Sequence, residues 1–157
     1  MGILIINGNL REKSTTTLLC DALASHCSEK GAVGRLNAWD FPLPCCDAGP
    51  SFGDANIALI KEKLAVANVV LIGSPVYNYT LTSYVKTLIE HTGDAWQNKV
   101  VGFAINAGGA SSYMAVFGTI QSLMLDFRCW VIPRYVYADG SAFLDGAIQS
   151  EDVKRRL

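Results

Sequence analysis

The sequence predicts an α/β protein built on a parallel sheet with helices on both faces. Two observations predict it. The runs at 3–6, 69–73 and 100–105 are almost continuously apolar, the pattern of strands covered on both sides. Helical spacings alternate with these and with two further strand-like runs, so the chain reads β-α-β-α-β-α-β-α-β-α, an order that builds parallel sheets through crossover helices. The 157 residues suit one domain over 1–157, and half of them are hydrophobic with 17% charged, a composition that favours a packed core over disorder.

Each element has its own signal. The first strand is the run 3–6, followed by a helix whose stripe is Leu19, Leu23 and Cys27, ended by Gly31 and Gly34. The second strand, 34–39, is more polar and belongs at an edge. Residues 41–53, rich in Pro and Gly, read as a surface loop over one side of the sheet. Asp54 caps a helix with the stripe Ile57, Ile60 and Leu64. Strand three, 69–73, leads to a helix over 83–92 marked by Tyr84 with Leu88 and Val85 with Ile89, ending near Gly93. Strand four, 100–105, precedes a helix read from Tyr113, Phe117, Ile120, Met124 and Phe127. Strand five, 130–137, contains Pro133, which cannot donate to a ladder and so favours an edge. Ser150 caps a short last helix with Lys154, Arg155 and Arg156 at its end.

Composition also excludes. A net charge of −1 offers no basic footprint for nucleic acid and none of the acidity of a carrier that docks by charge. No stretch reaches the roughly 20 apolar residues of a membrane span. The apolar start has no basic region before it and runs into Asn7-Gly8-Asn9, so it reads as a strand and not as a signal peptide. The Met-Gly start has Ile6 where a myristoylation motif takes Ser or Thr. A cytoplasmic protein is expected. The five cysteines show no Cys-x-x-Cys spacing, and adjacent Cys45 and Cys46 read as reduced loop thiols. His26 and His91 read as helix-surface residues.

In an open parallel sheet, ligands bind beyond the carboxyl ends of the strands. Three segments there carry unusual residues. After strand one, Gly8-Asn9-Leu10-Arg11-Glu12-Lys13 leads into Ser14, Thr15, Thr16 and Thr17 at a helix start. Free N–H groups, a helix dipole, hydroxyls and Arg11 suit a phosphate. Neither the Walker pattern nor Gly-x-Gly-x-x-Gly is present. After strand three, Gly73-Ser74-Pro75-Val76-Tyr77-Asn78-Tyr79 offers aromatic faces and polar groups to a planar heterocycle. After strand four, Asn106-Ala107-Gly108-Gly109 permits close approach of a flat ring. An ordinary polar cap, a plain strand–helix loop and a flexible turn would each look alike singly; all three fall at one end of one sheet.

These residues resemble the NADPH-dependent FMN reductase family over roughly residues 2–138. The specific pieces are Gly73-Ser74-Pro75-Val76-Tyr77-Asn78 followed by a helix bearing Lys86, and Gly8-Asn9-Leu10-Arg11 with Ser14 and Thr16. The resemblance implies a three-layer, flavodoxin-like α/β/α sandwich with a five-stranded parallel sheet of order 2-1-3-4-5. It implies that Asn9, Arg11, Ser14 and Thr16, with Thr15 in the same turn, hold the FMN phosphate. Pro75, Val76, Tyr77 and Asn78 would meet the isoalloxazine ring, and Ala107, Gly108 and Gly109 its other edge. Electrons would pass from NADPH through FMN to a small acceptor such as a flavin, quinone, azo compound or metal oxyanion, with no catalytic side chain and no metal required. A homodimer or dimer of dimers is implied, with the helix over 83–92 near its axis. Asn9, Thr16 and Val76 depart from the Ser, Asn and Glu common at those places. Two alternatives stay open: a flavodoxin-type carrier without nicotinamide activity, and a cofactor-free binding protein of the same fold.

Overall fold

The computed structural model describes residues 2–157; Met1, and with it the Met-Gly start, lies outside the described residues. Strand β1 is Ile3–Asn7, β2 Val33–Asn37, β3 Val69–Tyr77 and β5 Val100–Asn106, all parallel in the order β2-β1-β3-β5. The next place is shared by two short strands, β6 (Trp130–Val131) and β7 (Val136–Ala138), both parallel to β5. The expected order 2-1-3-4-5 is thus the observed one, in a flavodoxin-like α/β/α sandwich. The fifth strand differs from its reading: residues 132–135 break it, with Arg134 at φ +60° and Pro133 unable to pair.

Alternation along β1 divides the core. Ile3 and Ile5 face one layer, where α1 (Thr15–Ser28) and α5 (Glu151–Arg156) bury Leu19, Cys20, Leu23 and Val153. Leu4 and Ile6 face the other, where α2 (Ala55–Ala65), α3 (Ser83–Thr92) and α4 (Phe117–Phe127) bury Ile60, Leu64, Leu88 and Leu123. Each such fully buried aliphatic side chain contributes roughly 1.5–3 kcal/mol. Two helices start at the caps the sequence places, Asp54 accepting from the N–H of Asn56 and Ser150 from that of Val153, and Ser14 caps α1 by accepting from the N–H of Thr17. No helix among the described residues is long and apolar enough to cross a membrane.

Four further departures are informative. Strand β3 continues past Gly73 to Tyr77 and turns back into β4 (Thr80–Leu81). Beyond Gly73 it is no longer flanked by β1, so Pro75 is tolerated there. Of the stripe read for the fourth helix, Tyr113 lies in a preceding 3₁₀ turn, and Phe117 and Met124 are exposed; the core instead takes Val116 and Leu123, with Ile120 and Phe127 half-buried. This segment is apolar on two faces, and periodicity alone does not say which one packs. His91 is buried, not on the surface, because the loop at 41–53 folds over α3: its Nε2–H donates to the Pro44 carbonyl at 2.9 Å and Phe52 sits edge-on at 5.4 Å. Finally, β8 (Phe143–Leu144) and β9 (Ala147–Ile148) form a hairpin against α1 that the sequence reading did not include.

Candidate functional site

Register brings the site together. Asn7 ends β1 opposite Gly73, and Asn106 ends β5 opposite Pro75, so three connections leave the sheet at one level. The turn after β1 is a side-chain network. Asn7 is fully buried; its Oδ1 accepts from the Asn9 N–H at 3.0 Å and its Nδ2 donates to Thr17 Oγ1 at 3.1 Å. Asn9 Oδ1 repeats the motif, accepting from the Arg11 N–H at 3.0 Å. Ser14 Oγ accepts from the Thr17 N–H at 3.2 Å, and the Thr17 hydroxyl donates to the Glu12 carbonyl at 2.6 Å. The N–H groups of Thr15 and Thr16, in the first turn of α1, have no backbone acceptor among the described residues.

The second segment is fixed by backbone geometry. Val76 pairs with Leu81 and Tyr77 with Thr80, leaving Asn78 and Tyr79 as a two-residue turn with φ +50° and +61°. Positive φ at both places is the type I′ geometry that suits the twist of a hairpin. Tyr77 and Tyr79 are 54% and 59% exposed. Thr82 ties this hairpin to the first turn, its hydroxyl donating to the Gly8 carbonyl at 2.8 Å. Gly8 itself is required by packing: a Cβ there would lie 2.5 Å from a Val85 methyl.

The third segment follows β5. Asn106 reaches back across the cleft: its Nδ2 donates to Thr15 Oγ1 at 2.8 Å and its Oδ1 accepts from the Thr16 hydroxyl at 2.5 Å. The Tyr137 hydroxyl donates to the Gly109 carbonyl and the Tyr135 hydroxyl to that of Tyr113. Tyr113 stacks on Tyr135 at 4.7 Å, and burial pushes the Tyr135 phenol up from its ordinary value. Gly108 and Gly109 both have open space where a Cβ would stand, so packing does not demand glycine at either place.

One open cleft of about 400 Å³ lies between the three segments. Asn9, Arg11, Ser14, Thr15, Pro75, Val76, Tyr77, Ala107 and Gly108 line it, as does Lys13 and Asn106. Thr16 is buried behind the cleft, Asn78 belongs to the hairpin turn, and Gly109 lies just past the lining residues. The sequence reading did not select Asn7, Lys13 or Asn106; the polar residue that closes an apolar strand run is the signal that marks both asparagines. No carboxylate lines the cleft, and Arg11 and Lys13 make one end cationic. A phosphate fits that end, and a flat ring fits the end bounded by Val76, Tyr77 and Gly108. Elsewhere, all five cysteines are free. Burial pushes the Cys20 thiol up to about 12, so it is inert at neutral pH.

Comparisons with known proteins point the same way. Residues 1–143 match the family model described as NADPH-dependent FMN reductase. The chain is 26% identical over 147 residues to an NAD(P)H-dependent FAD/FMN reductase of Geobacillus thermodenitrificans (strain NG80-2), covering 91% of this chain and 80% of that protein. Its fold is similar to the flavoenzyme NAD(P)H:acceptor oxidoreductase of Paracoccus denitrificans, with a TM-score of 0.79 at 16% identity over 98% of this chain and 89% of the other. It is also similar to a flavodoxin from the domain Archaea, with a TM-score of 0.66 at 14% identity over 99% and 92% of the two chains.

Proposed function

The chain belongs to the NADPH-dependent FMN reductase family, and from that premise we propose that it holds FMN in the cleft at the carboxyl ends of β1, β3 and β5. It is an NAD(P)H-dependent flavin oxidoreductase. The observation that supports this placement is the convergence of a cationic, N–H-rich turn and a flat, glycine-bounded wall on one cleft. Asn9, Arg11, Ser14 and Thr15 are assigned to the phosphate, together with the first N–H groups of α1. Thr16 serves that end through its backbone and through Asn106, its hydroxyl being already engaged. Pro75, Val76, Tyr77 and Asn78 are assigned to the ring, and Ala107, Gly108 and Gly109 to its other edge.

Bound flavin supplies the chemistry that takes two electrons from a reduced nicotinamide and passes them to a small acceptor, a flavin, quinone, azo compound or metal oxyanion. The protein's part is to bind and orient. Backbone N–H groups near residues 76–78 are assigned to the side of the ring where negative charge would develop, and no side-chain acid or base is needed. The same reading carries a homodimer or dimer of dimers, supported by the apolar side chains exposed on α4 (Phe117, Met124, Leu125) and by Trp130 at the sheet edge; light scattering tests it. A cytoplasmic setting is supported by the free thiols.

The test is reconstitution with FMN followed by anaerobic titration with NADPH. Bleaching of the flavin's visible band is expected. Combined Arg11→Ala and Ser14→Ala substitution removes charge-assisted bonds that contribute about 1.5–3 kcal/mol each, so FMN affinity should fall by at least about 100-fold. Unchanged affinity would refute the phosphate assignment.

A further inference from the structure

We propose that Lys13 selects the phosphorylated dinucleotide, by meeting the 2′-phosphate of NADPH in a groove between the turn after β1 and the β8–β9 hairpin; this rests on the FMN placement above. The groove is a second depression of about 480 Å³ beside the cleft, along the same turn. Leu18 and Thr17 of α1 line it on one side and Gly146 at the hairpin tip on the other. Lys13, Ser14 and Thr15 line both depressions. The two therefore adjoin along one turn of chain, and in this proposal a dinucleotide lying over the bound flavin reaches the groove past Lys13.

The groove's chemistry suits an adenosine. The hairpin closes through Asp145 and Gly146, at φ +49° and +76°, a two-residue turn between Leu144 and Ala147. Gly146 has no protein atom within 4 Å of where a Cβ would stand, so a flat ring can approach the backbone there. Opposite it, the aliphatic Leu18 side chain offers an apolar surface.

Charge decides the specificity. Arg11 lines the cleft alone, whereas Lys13 lines both depressions, and among the described residues neither side-chain cation has an ion-pair partner. With Arg11 and the helix N–H groups committed to the flavin phosphate, the Lys13 ammonium is the cation left for a second phosphate. Glu12 also lines the groove. Its carboxylate disfavours an anion there, so acceptance of a phosphate depends on Lys13. NADPH and NADH differ only by that phosphate, so one cation beside one carboxylate suffices to tell them apart.

The experiment uses the FMN-loaded protein and two calorimetric probes, adenosine 2′,5′-bisphosphate and AMP, alongside KM values for NADPH and NADH. The wild type should bind the bisphosphate on the order of tenfold tighter than AMP, the value of one charge-assisted contact. Lys13→Ala should remove that difference and raise the NADPH-to-NADH KM ratio by about tenfold, while Lys13→Arg should keep it. Because Lys13 also lines the flavin cleft, FMN affinity is read separately by fluorescence titration, and every nucleotide measurement is made at saturating FMN. Equal binding of the two probes by the wild type would overturn the proposal, as would a Lys13→Ala effect of the same size on both dinucleotides or on FMN alone. Failure of the wild type to oxidise either dinucleotide would instead overturn the flavoenzyme reading, with the calorimetric comparison still reporting on the groove.

Discussion

The turn after β1 and the hairpin after β3 face each other across one cleft, yet different forces hold them. The first is a lattice of side-chain hydrogen bonds centred on buried Asn7 and Asn9, with Asn106 reaching in from β5. The second is held by main-chain pairing through a type I′ turn, and its tyrosines stand exposed. The difference matches their tasks. A phosphate needs N–H groups aimed at one point, and aiming them requires every neighbouring donor and acceptor to be satisfied. A flat ring needs a surface, which backbone and exposed aromatic side chains provide while tolerating variation.

The comparison predicts a large effect where side chains carry the geometry. Asn7→Ala would leave the Asn9 N–H unpaired in a buried place and strip Thr17 of a donor. Because a buried unsatisfied group costs about 1–3 kcal/mol, we expect a loss of about 2–4 kcal/mol in urea unfolding. An unaltered midpoint would mean that the lattice does not hold the turn. Asn106→Ala is the next smaller case. It removes the bonds to Thr15 and Thr16 from the far side of the cleft, so the fold should persist while FMN binds roughly tenfold more weakly by fluorescence titration. A stability loss as large as that of Asn7→Ala would move Asn106 from positioning to folding.

On the hairpin the sign should reverse. Tyr79 holds a left-handed conformation that costs an ordinary L-residue about 1–2 kcal/mol. Tyr79→Gly relieves it, offset in part by the freedom glycine gains when unfolded. A net gain of about 0.5–1 kcal/mol is expected in the same urea assay. Destabilisation instead would show that the exposed ring holds the hairpin, and the contrast between the two sides would fail.

Much of this protein was legible in order along the chain. Near-continuous apolar runs marked β1, β3 and β5, and the caps at Asp54 and Ser150 stand where local preference puts them, because strand burial and helix capping depend on residues only a few places apart. The three site segments were also visible, since polar and glycine-rich residues directly follow apolar strands. Tertiary structure alone decided that Asn106 would reach Thr15 across 91 residues, that the loop at 41–53 would bury His91, and that Leu123 and not Met124 would face the core. It also decided that the Asp145-Gly146 turn would stand beside Lys13. These depend on which surfaces meet after the sheet has formed. Local periodicity carries no record of that, because the partner of each group is set by register and packing between distant stretches of chain.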